Sequence, residues 1–177
     1  MNDKIELIKN TFRAIPDYPI EGVTFQDITP VLADPVIMST LIGELVRETF
    51  LFPEFDYIVG VEARGFIFAS ILSNILNKGL ILVRKEGKLP PPVISTSYKT
   101  EYSETSLELS VTSFPKNAKV LIIDDILATG GSLRATSDLI QELTGTVSGF
   151  LVIGQIDGLD GHKEIENIAK VISLFTF

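Results

Sequence analysis

The hydrophobic positions of the chain follow two periods, one typical of buried strands and the other of amphipathic helices. Short apolar runs rich in β-branched residues predict strands at 57–61, 80–84, 107–111, 120–123, 147–153 and 171–175. Apolar residues at helical spacing predict helices over 65–77 and 133–143. This alternation predicts an α/β fold, in which helices cover both faces of a mostly parallel, twisted sheet.

Two further helices are predicted near the N-terminus. The first has one apolar face and is ended by Pro16, and its face consists of Ile5, Ile8, Phe12 and Ile15. The second begins at the dipeptide Asp34-Pro35, because aspartate is a good N-cap and proline suits the first helical position.

Composition limits the classes of protein that remain. A chain of 177 residues with 45% hydrophobic content suits one domain over 1–177. The net charge of −8 argues against binding to nucleic acid or to anionic membranes. The chain has no cysteine for disulfides or zinc, no signal-peptide pattern, and no apolar run of the ~20 residues that a membrane span needs. We therefore expect a cytoplasmic protein.

The segment 120–132 predicts an anion-binding site, since a buried strand leads through a Gly-Gly turn into a helix. Backbone N–H groups of residues 128–132 can converge on a phosphate, and the helix dipole favours its charge. The segment is not a P-loop, because no lysine follows Gly131.

Two adjacent carboxylates, Asp124 and Asp125, precede this loop and would repel a bare phosphate. They suit a phosphate attached to a group with hydroxyls, or to a centre that becomes positively charged. Ribose 5-phosphate meets both conditions, because its hydroxyls can donate to the acids and its anomeric carbon becomes cationic during glycosidic chemistry. The alternatives are a metal-binding acidic pair and a strand-to-helix turn without a ligand.

A second strand–turn–helix junction at 60–66 carries Arg64, whose guanidinium can grip an anion with two hydrogen bonds. Two anion loops at the carboxyl ends of neighbouring strands suit a sugar with phosphates at both ends. The alternative is a surface arginine paired with Glu62.

These motifs resemble those of the type I phosphoribosyltransferase family. The run 120–132 is similar to its ribose-phosphate motif, a hydrophobic strand followed by two acids and T-G-G. Three further matches, at 22–30, at 60–66 and from 84 to 102, occur in order and narrow the resemblance to the adenine-using members. The resemblance implies that family's fold with a flexible lid hairpin at 85–103, and a base-recognition segment at 1–33.

The resemblance also implies a role for each matching residue in substrate binding. The backbone at Phe25 and Gln26 would recognise adenine, with the Phe25 ring below the base and Ile156 above it. Gln26 stands where the family has arginine, and backbone recognition tolerates that change. The 5-phosphate would be held by Ala128, Thr129, Gly130, Gly131 and Ser132.

The pyrophosphate would be held at the second junction and at the start of the lid. In the family the peptide equivalent to Glu62-Ala63 is often cis, and Arg64 would bind the pyrophosphate. Three further cations, partly across a dimer interface, are expected there: Arg84, Lys85 and Lys88.

The lid carries Glu101 and Tyr102, and the family assigns the glutamate an acid–base role toward the base. A closed lid would exclude water, which competes for an activated ribosyl carbon. Two glycines of the family pattern are Pro91 and Ser103 here, which favours a stiffer lid or a shifted hinge.

The function implied is formation of AMP and pyrophosphate from adenine and 5-phosphoribosyl 1-pyrophosphate, in purine salvage. Asp124 and Asp125 would stabilise positive charge on the sugar, and Mg²⁺ would be held mainly by substrate and water, with no dedicated protein ligand. A homodimer is expected. The alternatives are a family member that uses hypoxanthine, xanthine or orotate, and a non-catalytic regulator that senses phosphoribosyl pyrophosphate.

Overall fold

The computed structural model describes residues 3–99 and 104–177. Their strands are β1 (Arg13–Ile15), β2 (Phe25–Asp27), β3 (Tyr57–Val61), β4 (Gly79–Lys85), β5 (Val93–Lys99), β6 (Glu104–Ser110), β7 (Lys119–Leu127), β8 (Thr146–Gln155) and β9 (Val171–Thr176). The helices are α1 (Asp3–Thr11), α2 (Thr29–Ala33), α3 (Pro35–Thr49), α4 (Gly65–Leu76) and α5 (Gly131–Glu142), and a 3₁₀ turn spans Gly161–Glu164.

The central sheet has the strand order β5-β6-β4-β3-β7-β8-β9. The pairs β4–β3, β3–β7, β7–β8 and β8–β9 are parallel. At one edge β6 pairs antiparallel with β4, and β5 pairs antiparallel with β6. The mostly parallel sheet predicted from the sequence is thus confirmed, with a hairpin added at its edge.

Successive residues of the central strands have their side chains buried on opposite faces of the sheet, as the pleat requires. Ile58 and Leu121 contribute to a core shared with α1 to α4, whereas Val59 and Val120 contribute to a second core beneath α5. Helices therefore cover both faces. Among the described residues, none of these helices combines the length and apolarity that a membrane span requires.

The second predicted N-terminal helix is confirmed together with its cap. The Asp34 carboxylate accepts hydrogen bonds from the N–H groups of Val36 and Ile37, at 2.8 and 3.0 Å, and Pro35 opens α3. The first helix ends earlier than the apolar pattern predicts. Ile15 lies in β1 and pairs with Phe25 in a small two-stranded sheet, so it does not share the face of α1.

Two other segments also differ from the sequence-based expectation. Strand β7 continues through Asp124 and Asp125 to Leu127, because β8 supplies partners as far as Gln155. Within the segment expected to be a lid, residues 93–99 form β5 and pair with β6 along its whole length. The prolines at 90–92 interrupt periodicity only in the turn that precedes β5.

Candidate active site

A cleft of about 630 Å³ lies beyond the carboxyl ends of β3, β7 and β8, where open α/β sheets bind their ligands. Its walls come from the loop before β2, from the phosphate-type loop after β7 and from the segment after β8. The lining residues are Tyr18, Pro19, Gly22, Val23, Thr24, Phe25, Gln26, Arg64, Tyr98, Ile126, Leu127, Ala128, Thr129, Gly130, Ser132, Ile156, Asp157, Leu159 and Phe177.

Many residues expected from the sequence meet in this cleft, namely Phe25, Gln26, Arg64, Ala128, Thr129, Gly130, Ser132 and Ile156. Gly131 is the first residue of α5. A neighbouring group of candidates does not line the cleft: Glu62, Ala63, Arg84, Lys85, Lys88, Asp124 and Asp125. The proposed catalytic residues Glu101 and Tyr102 lie outside the described residues.

The loop after β7 has a shape that only glycine permits. Gly130 has φ +83°, a region that side chains disfavour, and a Cβ there would overlap the carbonyl oxygen of Gly161. A Cβ on Gly161 would in turn overlap the carbonyl oxygen of Ala128. The 3₁₀ turn is therefore packed against the loop, and two glycines allow that close approach.

This packing leaves the N-terminus of α5 open toward the cleft. Gly130 is the N-cap and, as a glycine, has no side chain with which to cap the first turn of α5. The first N–H groups of a helix have no partner within the helix. Together with the helix dipole, they can bind a phosphate group.

The acidic pair lies against the start of α4. The N–H of Asp125 donates to Asp124 Oδ1 at 2.9 Å, and a Cβ on Gly65 would lie 3.0 Å from that same oxygen. Asp125 is 2% exposed, and its Oδ2 lies 2.8 Å from Arg64 Nε. This contact is ionic, because Oδ2 receives no aligned hydrogen bond from the described residues.

Arg64 links the acidic pair to the cleft. Its side chain is 37% exposed, and its guanidinium carbon lies 5.2 Å from the centre of the Phe25 ring. Glu62 pairs instead with Arg84, with 3.2 Å between Oε2 and Nε. The alternative of a surface Arg64 paired with Glu62 is thus wrong.

Burial makes negative charge on the acidic pair unfavourable. It raises the pKa of Asp124 well above its usual value, and the neighbouring Asp125 charge raises it further. Burial also raises the pKa of Asp125, although Arg64 opposes that shift. The pair would therefore favour a ligand that brings positive charge or hydroxyl donors to it.

The variant Asp124→Asn should be more stable than wild type at pH 7 to 8. A carboxyl group whose pKa is raised by folding stabilises the protein while neutral, and that contribution is lost as pH rises through the raised pKa. Asparagine keeps an acceptor oxygen for the Asp125 N–H and carries no charge. Urea unfolding at several pH values would measure the gain, which should shrink toward pH ~4, the usual pKa of an aspartate.

Asp125→Asn offers a matched comparison in the same unfolding series. It should gain less stability, because it also gives up the ion pair with Arg64. A free energy of unfolding with the same pH dependence in Asp124→Asn and in wild type would contradict the burial of this charge.

The strand that carries Phe25 and Gln26 is anchored at its far end. Asp27 accepts hydrogen bonds from the Thr29 hydroxyl at 2.6 Å and from Arg13 at 2.6 Å. The Thr29 hydroxyl and N–H, aided by Arg13, lower the pKa of Asp27 to about 2. The anchor therefore stays ionised and holds β2 at the edge of the cleft.

The turn after β3 has the cis Glu62-Ala63 peptide that the family resemblance implies. Glu62 connects this turn to β4, because its Oε2 accepts from Arg84 Nε at 3.2 Å and from the Lys85 N–H at 2.9 Å. The turn and the cationic end of β4 thus form one hydrogen-bonded unit, which Arg64 joins to Asp125 of the acidic pair.

Several residues of the site were not anticipated from the sequence. Tyr18 packs edge-on against Phe25 with 5.4 Å between ring centres, and Leu159 and Phe177 complete the apolar wall. Tyr98 of β5 also lines the cleft, and burial together with the Asp124 charge raises its pKa. The alternation of β5 could have been recognised at 93–98, but nothing in it indicates which residue reaches the site.

The model for the phosphoribosyl transferase domain matches residues 36–175, so the chain belongs to that family. The chain is 43% identical to an adenine phosphoribosyltransferase of Shewanella piezotolerans over 176 residues, which covers 99% of this chain and 96% of the relative. These matches place the chain, within the family, among the adenine phosphoribosyltransferases.

Solved structures agree with the sequence relatives. The adenine phosphoribosyltransferase of Thermoanaerobacter pseudethanolicus superposes with a TM-score of 0.93 at 39% identity, covering 98% of this chain and 99% of that one. The Saccharomyces cerevisiae enzyme gives 0.89 at 32% identity, with the same coverage. That structure holds adenine and an imino-altritol bisphosphate, a sugar analogue with two phosphates.

Proposed function

We propose that this chain forms AMP and pyrophosphate from adenine and 5-phosphoribosyl 1-pyrophosphate, using the cleft beyond β3, β7 and β8. The observation that carries the proposal is the juxtaposition of three subsites at this end of the sheet. A helix N-terminus capped by glycine and an apolar wall line the cleft, and Arg64 connects the cleft to the acidic pair, of which Asp125 is buried. They match a phosphate, a flat base and the ribose between them.

The base would bind between Phe25 and Ile156, which both line the cleft. Backbone groups of Phe25 and Gln26 would read its polar edge. Gln26 pairs with Ala14 in the two-stranded sheet, so the backbone at this position is held whatever the side chain. This supports recognition by the main chain, for which the family's arginine is not needed.

The 5-phosphate would bind at residues 128–132, away from the bond that changes. Binding energy gained at the phosphate, a part of the substrate that does not react, holds the sugar in position. The acidic pair can then act on the reacting carbon. Asp124 and Asp125 would accept hydrogen bonds from the ribose hydroxyls.

In the reaction, the lone pair of adenine nitrogen 9 forms a bond to the anomeric carbon. The bond from that carbon to the pyrophosphate oxygen breaks, and its electron pair leaves with pyrophosphate. The proton of adenine nitrogen 9 would pass to Glu101, to which we assign the acid–base role, and Tyr102 is kept as the second proposed catalytic residue of the lid. Burial alone disfavours the ionised forms of Asp124 and Asp125, but positive charge on the sugar stabilises these ionised forms.

Pyrophosphate would be held by Arg64 together with the hydrogen-bonded turn and β4 end. That unit contributes Glu62, Ala63, Arg84, Lys85 and Lys88. Mg²⁺ bound to the substrate would neutralise part of the pyrophosphate charge. We propose that substrate oxygens and water supply most of its ligands, as Mg²⁺ commonly keeps several waters and binds substrate phosphates.

Arg64→Lys should raise the KM for phosphoribosyl pyrophosphate about tenfold and change the Kd of AMP by less than about threefold. Lysine keeps the positive charge but cannot make the two parallel hydrogen bonds of a guanidinium. The loss of one charge-assisted hydrogen bond corresponds to about a tenfold change. AMP lacks pyrophosphate and should sense the change little. Steady-state kinetics and calorimetry would measure both values.

Arg47→Lys is the matched control, because Arg47 pairs with Glu48 at 3.3 Å on α3, a helix that contributes no residue to the cleft. It should leave both constants unchanged. Equal losses of the two ligands in Arg64→Lys would mean that Arg64 only supports the structure through Asp125.

The proposal also includes a cytoplasmic homodimer. Support for the dimer comes from Leu80 and Leu82, which leave apolar surface exposed on β4 next to the proposed pyrophosphate cations. Sedimentation of the purified protein would measure its oligomeric state.

A competition assay tests the proposed function. The protein would receive Mg²⁺, phosphoribosyl pyrophosphate and an equimolar mixture of adenine, guanine, hypoxanthine and orotate. We expect AMP and an equal amount of pyrophosphate, with the other nucleotides about 100-fold slower, since a site that pairs with one polar edge rejects others by such factors.

The same assay distinguishes the other candidates. Comparable formation of the nucleotide of hypoxanthine or orotate would overturn the adenine assignment. Binding of phosphoribosyl pyrophosphate without release of pyrophosphate would indicate a non-catalytic sensor.

A further inference from the structure

A buried carboxylate outside the cleft holds the turn between β4 and β5. Glu108 of β6 is 3% exposed. Its Oε1 accepts from the N–H of Lys88 at 2.7 Å and from that of Leu89 at 2.5 Å, and its Oε2 accepts from the N–H of Gly87 at 3.1 Å. Three successive backbone donors thus converge on one side chain.

The turn forms an anion-binding nest of the kind that often holds phosphate, and here an internal carboxylate fills it. Gly87 has φ +79°, which lets consecutive N–H groups point to the same side. Burial alone would raise the pKa of Glu108, but the N–H groups of Leu89, Gly87 and Lys88 outweigh it and keep the pKa below its usual value. Glu108 is therefore a buried anion that is satisfied only while the turn keeps this shape.

Hydrogen bonds connect this turn to the proposed pyrophosphate site. Arg84 Nη1 donates to the Lys88 carbonyl oxygen at 3.1 Å, and Arg84 Nε lies 3.2 Å from Glu62 Oε2. Arg84 is also the direct partner of Glu108 across the β4–β6 pair. A change at Glu108 would therefore reach the cis Glu62-Ala63 turn through Arg84.

We propose that Glu108 is a positioning residue, which sets the β4–β5 turn and through Arg84 the turn after β3, so that both grip pyrophosphate. The inference rests on the proposed function, because it assigns pyrophosphate to these two turns. It predicts that Glu108 affects pyrophosphate binding selectively, whereas a general role in stability would weaken all ligands alike.

Glu108→Gln tests this role, with Glu86→Gln as matched control. The amide keeps the size of Glu108, but its NH₂ group faces a backbone donor. Glu86 belongs to the same turn, is exposed, and loses the same charge on substitution. We expect Glu108→Gln to weaken binding of magnesium pyrophosphate about tenfold, as for one charge-assisted hydrogen bond, and to leave AMP binding within about twofold. Glu86→Gln should change neither.

Amide hydrogen exchange gives a readout that needs no substrate. Exchange at Gly87, Lys88 and Leu89 should become at least about tenfold faster in Glu108→Gln and stay unchanged in Glu86→Gln. Should Glu108→Gln fail to fold, Gly87→Ala strains the same turn, because Gly87 has φ +79° and its N–H donates to Glu108, while the charge of Glu108 is kept. It should show the same selective loss of pyrophosphate binding.

Unchanged exchange at the turn, or an equal loss of AMP and pyrophosphate binding, would overturn the role of Glu108. Failure of the proposed function is distinct, since wild-type protein would then form no AMP in the competition assay.

Discussion

Gly130→Val should weaken AMP binding about 100-fold or more. Valine is strongly disfavoured at φ +83°, and its Cβ would overlap the Gly161 carbonyl oxygen. Relief of that overlap moves the loop or the 3₁₀ turn and spoils the convergence of N–H groups on the phosphate. Loss of two charge-assisted hydrogen bonds, each worth about 1.5–3 kcal/mol, corresponds to at least that factor in Kd.

Gly158→Val separates this effect from backbone strain alone. Gly158 has φ +78°, nearly the same conformation, but, its chain neighbours apart, no atom of residues 3–99 or 104–177 lies within 4 Å of a Cβ there. It should therefore bind AMP within about threefold of wild type by calorimetry, and it should lose less melting temperature than Gly130→Val, which adds the overlap with Gly161. Unchanged AMP binding in a folded Gly130→Val protein would mean that the loop does not hold the phosphate.

The sequence was sufficient to predict those parts of the fold and site that depend on residues close together in the chain. Strand β3 and the cap of α3 followed from hydrophobic period and capping preference, and the glycine loop at 128–132 followed from its position between a strand and a helix. These signals are local because each depends on residues a few positions apart.

Contacts between distant segments could not be predicted in this way. Gly161 supports the phosphate loop from a turn far along the chain, and Arg64 pairs with Asp125 where its near neighbour Glu62 was the alternative. Ile15 fits the period of α1 but pairs with Phe25 in a strand. In each case the outcome depends on a contact between distant segments, which local sequence patterns do not encode.

Asp124→Asn and Asp125→Asn should lower kcat, by about 10² or more for the more important acid. Each change keeps size and an acceptor oxygen, so ribose hydroxyls retain a partner. The lost charge matters when the anomeric carbon becomes cationic, and removal of a preorganised electrostatic group has effects of this order. Asp125→Asn also releases Arg64 from its ion pair, so its KM for phosphoribosyl pyrophosphate should change as well.

AMP binding should fall less than kcat in both variants, because the loop at 128–132 still holds the phosphate. The Asp124→Asn protein should then be more stable at neutral pH and slower in catalysis. Both effects have one cause. The buried charge of Asp124 destabilises the folded protein, but it stabilises the cationic sugar of the transition state.

The most direct measurement is kcat of both variants at saturating adenine and phosphoribosyl pyrophosphate. Asp138→Asn serves as the control, because Asp138 is an exposed partner of Arg134 on α5. We expect a loss of about 10² or more in at least one acidic-pair variant and none in the control. Near-full kcat in both Asp124→Asn and Asp125→Asn would contradict the role of this pair in stabilising the cationic sugar.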